Sequence, residues 1–273
     1  MTHMQLKIVP LSPTIGAEIG PIDLAQPLDD EMHAELHRAL LQHKVLFFRD
    51  QDITQEQHIA FARRFGDLEV HPFAPRHEHP ELLVIAHDEN NRGKENTWHS
   101  DVTWRLKPSL GSILRAIDVP PIGGDTLFAD MHAAYEALGD SMKQALSGLT
   151  AIHDFSRVFG RGLPPEKLGA LKREYPPAQH PVVRTHPETG EKSLYVNRAF
   201  TSHIVGMAPD ESEKLLEFLY SRASIPEYQC RFRWRRNSIA FWDNRAVQHY
   251  AVSDYFPHRR EMHRVTVVGD APV

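Results

Sequence analysis

Tyr228-Gln229-Cys230-Arg231-Phe232-Arg233-Trp234-Arg235 alternates ring or thiol side chains with polar ones. Successive side chains of an extended chain point to opposite faces. A period of two therefore predicts a strand with Tyr228, Cys230, Phe232 and Trp234 on one face and the three arginines on the other. Phe232 and Trp234 suit a core or a subunit interface equally. Further strand-like runs follow at 238–242 and 262–268 and precede it at Val45–Phe48, 82–86, 112–117 and 126–128.

Between these runs the period changes to that of helices. Residues 29–44 carry Met32, Leu36, Ala39 and Leu40 on one stripe, with Asp29 or Asp30 as cap. Thr54 with Gln57 has the spacing of a capping box, opening a helix with Ile59, Ala62 and Phe65 inside and Gly66 as its stop. Residues 130–149 and 209–223 also read as helical, the latter with Pro209 in its first turn. Helices lead, strands dominate the middle and end, and no regular βαβ alternation exists. The expected class is mixed α+β: a double-sheet β core with helices packed outside. The pattern suits one domain over 1–273, with the proline-rich stretch 150–205 as a lid or insertion.

Composition narrows the function. The net charge of −5 argues against a nucleic-acid partner. The single cysteine, Cys230, excludes internal disulfides and Cys-rich zinc sites, which fits a reducing cytoplasm. Neither a secretory leader nor a membrane-length apolar run is visible, so no membrane partner is expected.

Histidine is abundant at 18 residues, so metal motifs need scrutiny. A His-x-acid pair occurs at His33/Glu35, His79/Glu81, His87/Glu89, His99/Asp101 and His186/Glu188. Only His99 is followed by Asp, and it precedes a strand-like Val102-Thr103-Trp104, where a spacing of two puts both side chains on one face. Two imidazoles and one carboxylate suit non-haem Fe(II) with positions left open for a co-substrate and O₂. His249, after the apolar run into Asn244, is the candidate second imidazole. On residues alone, the ordinary reading of His99/Asp101 is a hydrogen-bonded surface pair and that of His249 a structural or solvated histidine. Arg260 and Arg264, four apart on a strand, would face one cavity; the alternative is a solvated basic edge.

Several segments, in order along nearly the whole chain, carry a resemblance. They are 13–24, 43–51, Trp98-His99-Ser100-Asp101-Val102-Thr103, Gly123-Gly124-Asp125-Thr126-Leu127, the run from His180 to Pro187, Leu194-Tyr195-Val196-Asn197, and the stretch from Trp242-Asp243-Asn244-Arg245 through His249 to Arg264. The chain resembles the taurine dioxygenase family of Fe(II)/2-oxoglutarate-dependent oxygenases, which also includes alkylsulfatases and aryloxyalkanoate dioxygenases. The resemblance implies a double-stranded β-helix, or jelly-roll, core with flanking helices. It implies that His99, Asp101 and His249 bind Fe(II), that Thr126 and Arg260 hold the distal carboxylate of 2-oxoglutarate, and that O₂ is the second co-substrate. It assigns His71 and Arg264 to the anionic group of the substrate, and Ala74, Glu95, Asn96, Val158, Phe159 and Phe200 to its surroundings.

Some of these positions depart from the taurine pattern. Ala74 stands where those enzymes have Tyr, Val158 where they have Ser, and Glu95 or Asn96 near a polar Asn. Removing partners for a small amine disfavours a substrate that carries one. The expected substrate is a small organic anion (sulfonate, sulfate ester or aryloxy acid) with a larger or less polar tail than taurine. Hydroxylation beside the leaving group would cleave it, giving for a sulfonate an aldehyde and sulfite, with succinate and CO₂ from 2-oxoglutarate. The resemblance also implies a homo-oligomer, dimer or tetramer. Two other readings use the same residues: a metal-free jelly-roll binding protein, and a zinc hydrolase on the same ligands.

Overall fold

A computed structural model describes residues 6–73, 78–93 and 95–273. Strands Lys7–Pro10 (β1) and Ala17–Gly20 (β2) lead into helix Asp30–His43 (α1), strand Val45–Phe48 (β3), helix Gln55–Arg63 (α2) and strand Leu82–His87 (β4). Strands Ser109–Asp118 (β5) and Thr126–Asp130 (β6) are followed by short helices Met131–Glu136 (α3) and Asp140–Leu146 (α4). Then come Thr150–His153 (β7), Ser156–Phe159 (α5), Pro165–Glu174 (α6), Ala178–Pro181 (β8), Val183–Thr185 (β9), Lys192–Leu194 (β10) and Thr201–Ile204 (β11). Helix Pro209–Ser221 (α7) precedes the closing strands Gln229–Phe232 (β12), Ile239–Asp243 (β13), Val247–Ala251 (β14) and Arg260–Val268 (β15).

The large sheet runs β1-β2-β3-β13-β5-β15-β4, and a smaller one runs β12-β6-β14. Strand alternation explains how they stack. From the large sheet Val45, Phe47, Leu114, Ala116, Ala240, Trp242 and Met262 meet Phe128, Cys230, Phe232 and Val247 of the small sheet. Opposite-parity residues Leu46, Phe48, Ile113, Phe241, Val265 and Val267 face outward, onto Leu36 and Leu40 of α1 and Ile59 and Ala62 of α2. The inner strands β3 and β13 are therefore buried on both faces, which is why they read as unbroken apolar runs. This is the expected sandwich with helices outside.

Local signals hold where they are strong. Asp29 caps α1, accepting from Met32 N at 2.8 Å, and α1 ends at Lys44 in the left-handed region, φ 64°. The capping box of α2 closes in both directions, at 2.7 and 3.2 Å.

Two expected elements change. The helix over 130–149 is broken: Asp130 ends β6 and caps α3, and the backbone at Gly139 is extended. Met131, Tyr135, Leu138 and Leu146 still share one core, so the apolar pattern was right and the continuous axis was not. The strand expected over 228–235 pairs only from Gln229 to Phe232, although Trp234 stays buried and Arg231, Arg233 and Arg235 exposed. Phe232 and Trp234 belong to the core. Residues 150–205 supply β7 to β11, with β11-β7-β8 forming one small sheet and β10-β9 another. Among the described residues no helix is long and apolar enough to cross a membrane.

Candidate active site

His249 lies in the middle of β14, opposite Phe128 of β6. On its other side it pairs with His99: His249 N–H donates to the His99 carbonyl at 2.8 Å, and His99 N–H donates back at 3.1 Å. A hydrogen-bonded antiparallel pair puts both side chains on one face. The two rings accordingly lie 4.2 Å apart, centroid to centroid.

Asp101 arrives differently from expectation. Residues 101–104 form a turn, not a strand, with Val102 at φ 46°. Positive φ on a β-branched residue is strained. The turn brings Asp101 Oδ1 to 3.8 Å from His99 Nε2 and 3.9 Å from His249 Nε2. Asn244 clasps its backbone, accepting from Asp101 N at 2.7 Å and donating to Asp101 O at 2.9 Å. Ser112 donates to Oδ2 at 2.8 Å, and Arg264 Nη1 donates to Oδ1 at 2.7 Å.

These contacts set the protonation states. Burial opposes ionisation of Asp101, but Arg264, the two imidazoles and the Ser112 hydroxyl together hold its carboxyl well below the usual range. Burial, with His99 next, pushes His249 down to about 3, so its ring is neutral. The His99 Nδ1 lies 2.7 Å from the Thr97 carbonyl and donates to it, so Nε2 is the ring nitrogen turned to the cluster. An anionic carboxylate with neutral imidazoles is the donor set that a divalent transition ion requires. His249 Nδ1 is buried and finds no hydrogen-bond partner among the described residues. Among the described residues these three are the cluster able to hold a metal. His186 and Glu188, a competing pair in the sequence, instead bind Asp243 at 3.0 Å and Arg245 at 2.7 Å.

Two of the segments that carry the resemblance meet near this centre. Thr103 Oγ1 lies 2.9 Å from His153 Nδ1 and accepts from Asn197 at 3.0 Å. Asn244, Ser112 and Thr97 were not singled out from the sequence. Asn244 stands in the matched run after Trp242; Ser112 and Thr97 gave no signal.

Thr126 is buried in β6, where its hydroxyl accepts from Trp234 Nε1 at 2.9 Å. Arg260 is buried nearby, donating to the Gly124 carbonyl at 3.2 Å and lying 5.7 Å from the Tyr255 ring centre. Gly124 has φ 70°, and a Cβ there would sit 3.2 Å from the Arg260 side chain, so glycine keeps this arginine's berth open.

A cavity of about 770 Å³ opens against His99 and Asp101. Its walls are apolar, formed chiefly by Phe73, Leu83, Ile85, Val102, Phe159 and Phe200. His71 and Arg264 lie in its lining beside the metal ligands, and Glu95 and Val158 line it too. Burial, then Arg264, lowers His71 to about 4; its Nδ1 accepts from Phe73 N at 3.3 Å, so the neutral ring presents Nε2–H as a donor. Asn96 is exposed and is absent from the lining, as are Thr126 and Arg260. Ala74 lies outside the described residues.

Comparison with known proteins matches residues 7–266 to the family described as taurine catabolism dioxygenase TauD, TfdA family. An alkylsulfatase of Acinetobacter baylyi is 37% identical over 97% of this chain and 86% of its own. An alpha-ketoglutarate-dependent 2,4-dichlorophenoxyacetate dioxygenase of Cupriavidus pinatubonensis is 35% identical over 97% of this chain and 98% of its own. The crystal structure of a taurine dioxygenase from Burkholderia xenovorans superposes with a TM-score of 0.85 at 41% identity, covering 98% of this chain and 91% of that one.

Proposed function

The chain belongs to the TauD, TfdA family of dioxygenases, and from that premise we propose that it cleaves an organic anion by hydroxylating the carbon that bears its leaving group. It is a 2-oxoglutarate-dependent dioxygenase whose facial triad is His99, Asp101 and His249. When bound there, Fe(II) with 2-oxoglutarate and O₂ supplies the hydroxylation of a C–H bond, with succinate and CO₂ as co-products. The protein orients the reactants and shields them.

In this reading Arg260 pairs bidentately with the distal carboxylate of 2-oxoglutarate, and Thr126 donates to it. Arg264 and the Nε2–H of His71 hold the substrate's anionic group beside the metal. Phe159, Phe200 and Val158 enclose the rest. Hydroxylation next to a sulfate ester or sulfonate gives a carbinol. Its O–H proton leaves with the departing anion as the C–O or C–S bond breaks, yielding an aldehyde and hydrogensulfate or hydrogensulfite.

The observation that carries the proposal is the largely apolar cavity of about 770 Å³ at the triad, with Arg264 and His71 in its lining. That volume is in the range that encloses drug-sized ligands, far beyond a two-carbon amine. The cavity's size and apolar walls support a sulfonate or sulfate ester with an extended apolar tail as the substrate. The phenylalanine-rich wall favours an aryloxy acid as the second reading.

A panel of sulfonates, sulfate esters and aryloxy acids, scored by succinate release, tests this. We expect kcat/KM to rise with tail size; the highest value on taurine would overturn it. His99→Ala should lose Fe(II)-dependent turnover of 2-oxoglutarate, and equal turnover in the two proteins would restore the binding-protein reading.

A further inference from the structure

Three exposed arginines in the cavity lining, Arg157, Arg161 and Arg198, are a feature that the proposed reaction does not use. Arg157 belongs to the single turn of α5 and Arg161 follows it by four residues. Like charges at this spacing repel. Even so, Arg161 Nε donates to the Arg157 backbone carbonyl at 2.9 Å, which fixes its stem beside its neighbour. Arg198 approaches from the chain before β11, stacked 5.1 Å over the Tyr220 ring centre.

Among the described residues, only one of the three pairs with a carboxylate: Arg198 binds Glu217 through two hydrogen bonds, at 2.7 and 2.5 Å. The carboxylates that line the cavity are Asp101, committed to the triad, and Glu95, which lies 3.1 Å from His87 Nε2. The cavity thus carries two cationic groups, the half-buried Arg264 on Asp101 and the exposed arginines, and Phe73, Phe159 and Phe200 also line it. A solvated basic edge would not by itself share a cavity with the reacting centre.

We propose that this exposed group binds a second anionic group on the substrate, so that the preferred substrate is an organic dianion with an apolar spacer. Its reacting anion sits against Arg264, and a carboxylate, sulfonate or sulfate at the far end sits between Arg157 and Arg161. The inference rests on the function proposed above and narrows its substrate class. Planar guanidinium forks at a water-exposed rim suit such a group, and their contribution falls with salt.

The test compares a linear alkyl sulfate ester with the ω-carboxy ester of equal chain length, in wild type, Arg157→Gln/Arg161→Gln and Arg157→Lys/Arg161→Lys. We expect kcat/KM to favour the dianion about tenfold in wild type, mainly through KM. The ratio should fall towards one in the glutamine variant, survive in part in the lysine variant, and shrink at high salt. Turnover of the monoester without a dianion advantage, or an advantage that persists in the glutamine variant, overturns the inference alone. No turnover of either ester, with none across the wider panel, overturns the proposed function and the inference with it.

Discussion

Arg264 donates at 2.7 Å to Asp101 Oδ1, the same carboxylate oxygen that faces both imidazoles. A guanidinium at this distance stabilises the carboxylate but repels a divalent ion arriving at the same oxygen. Two unit charges about 4 Å apart interact by roughly 4 kcal/mol at an effective dielectric near 20, partly offset by the shared anion. Arg264→Gln should therefore bind Fe(II) or Mn(II) several-fold more tightly without substrate, while its KM for the anion rises at least about tenfold. Metal titration of the substrate-free protein checks this; weaker metal binding in the variant would mean that Arg264 orients the ligand and does not compete with the ion.

Val102, at φ 46°, makes a second prediction. At an ordinary position Gly is less stable than Ala by roughly 0.5–1 kcal/mol. In the left-handed region the order reverses, because a Cβ is disfavoured there by about 1–2 kcal/mol. Val102→Gly should then melt at or above Val102→Ala, both below wild type through loss of the buried isopropyl group. The usual order in thermal melts would show that the turn relaxes once the side chain is cut back.

Asn244 is argued to act through Asp101, whose N–H and C=O it holds. Asn244→Asp keeps the size but cannot donate to the carbonyl. Loss of outer partners of a metal ligand weakens metal affinity by about 10–100-fold. We expect that loss in Mn(II) titrations, together with altered ligand-field spectra of the Fe(II) protein. A variant that loses thermal stability but binds metal as tightly as wild type would make Asn244 structural only.

Acid should destabilise the metal-free protein through histidines outside the triad. Burial holds His58 down to about 3 and pushes His153 well below its ordinary value, and both are neutral when folded. The unfolded chain protonates them below about pH 6.5, so stability is fully present above that pH and falls as the solution is acidified towards 4. Each group contributes up to about 1.4 kcal/mol per pH unit over this window. Melting temperature should fall from pH 7 to 5 and fall less steeply in His58→Gln, which can still donate to the Ile113 carbonyl reached by His58 Nε2 at 3.1 Å. Equal slopes would remove His58 from the account.

Much of the fold was legible because its signals are local. The α1 stripe, the Thr54–Gln57 box and the apolar β3 needed only neighbouring residues. Gly139 shows the limit: apolar spacing on both sides of it was correct, yet one extended residue splits the helix. The triad was less legible. His99 and Asp101 were read as strand neighbours on a common face, whereas a strained turn and a bridge to a distant strand bring them together. Context made His249 a candidate, but the resemblance, spread over many short segments, was needed to set it apart among 18 histidines. Ser112 and Asn244 reach Asp101 across sequence separations of 11 and 143 residues, which no periodicity encodes.

The backbone bridge between His99 and His249 joins residues about 150 positions apart. During synthesis, the first two ligands leave the ribosome long before β14 exists to supply the third. A nascent chain at that stage offers iron only an incomplete, open site. No stretch of the chain that stops short of β14 carries the complete ligand set.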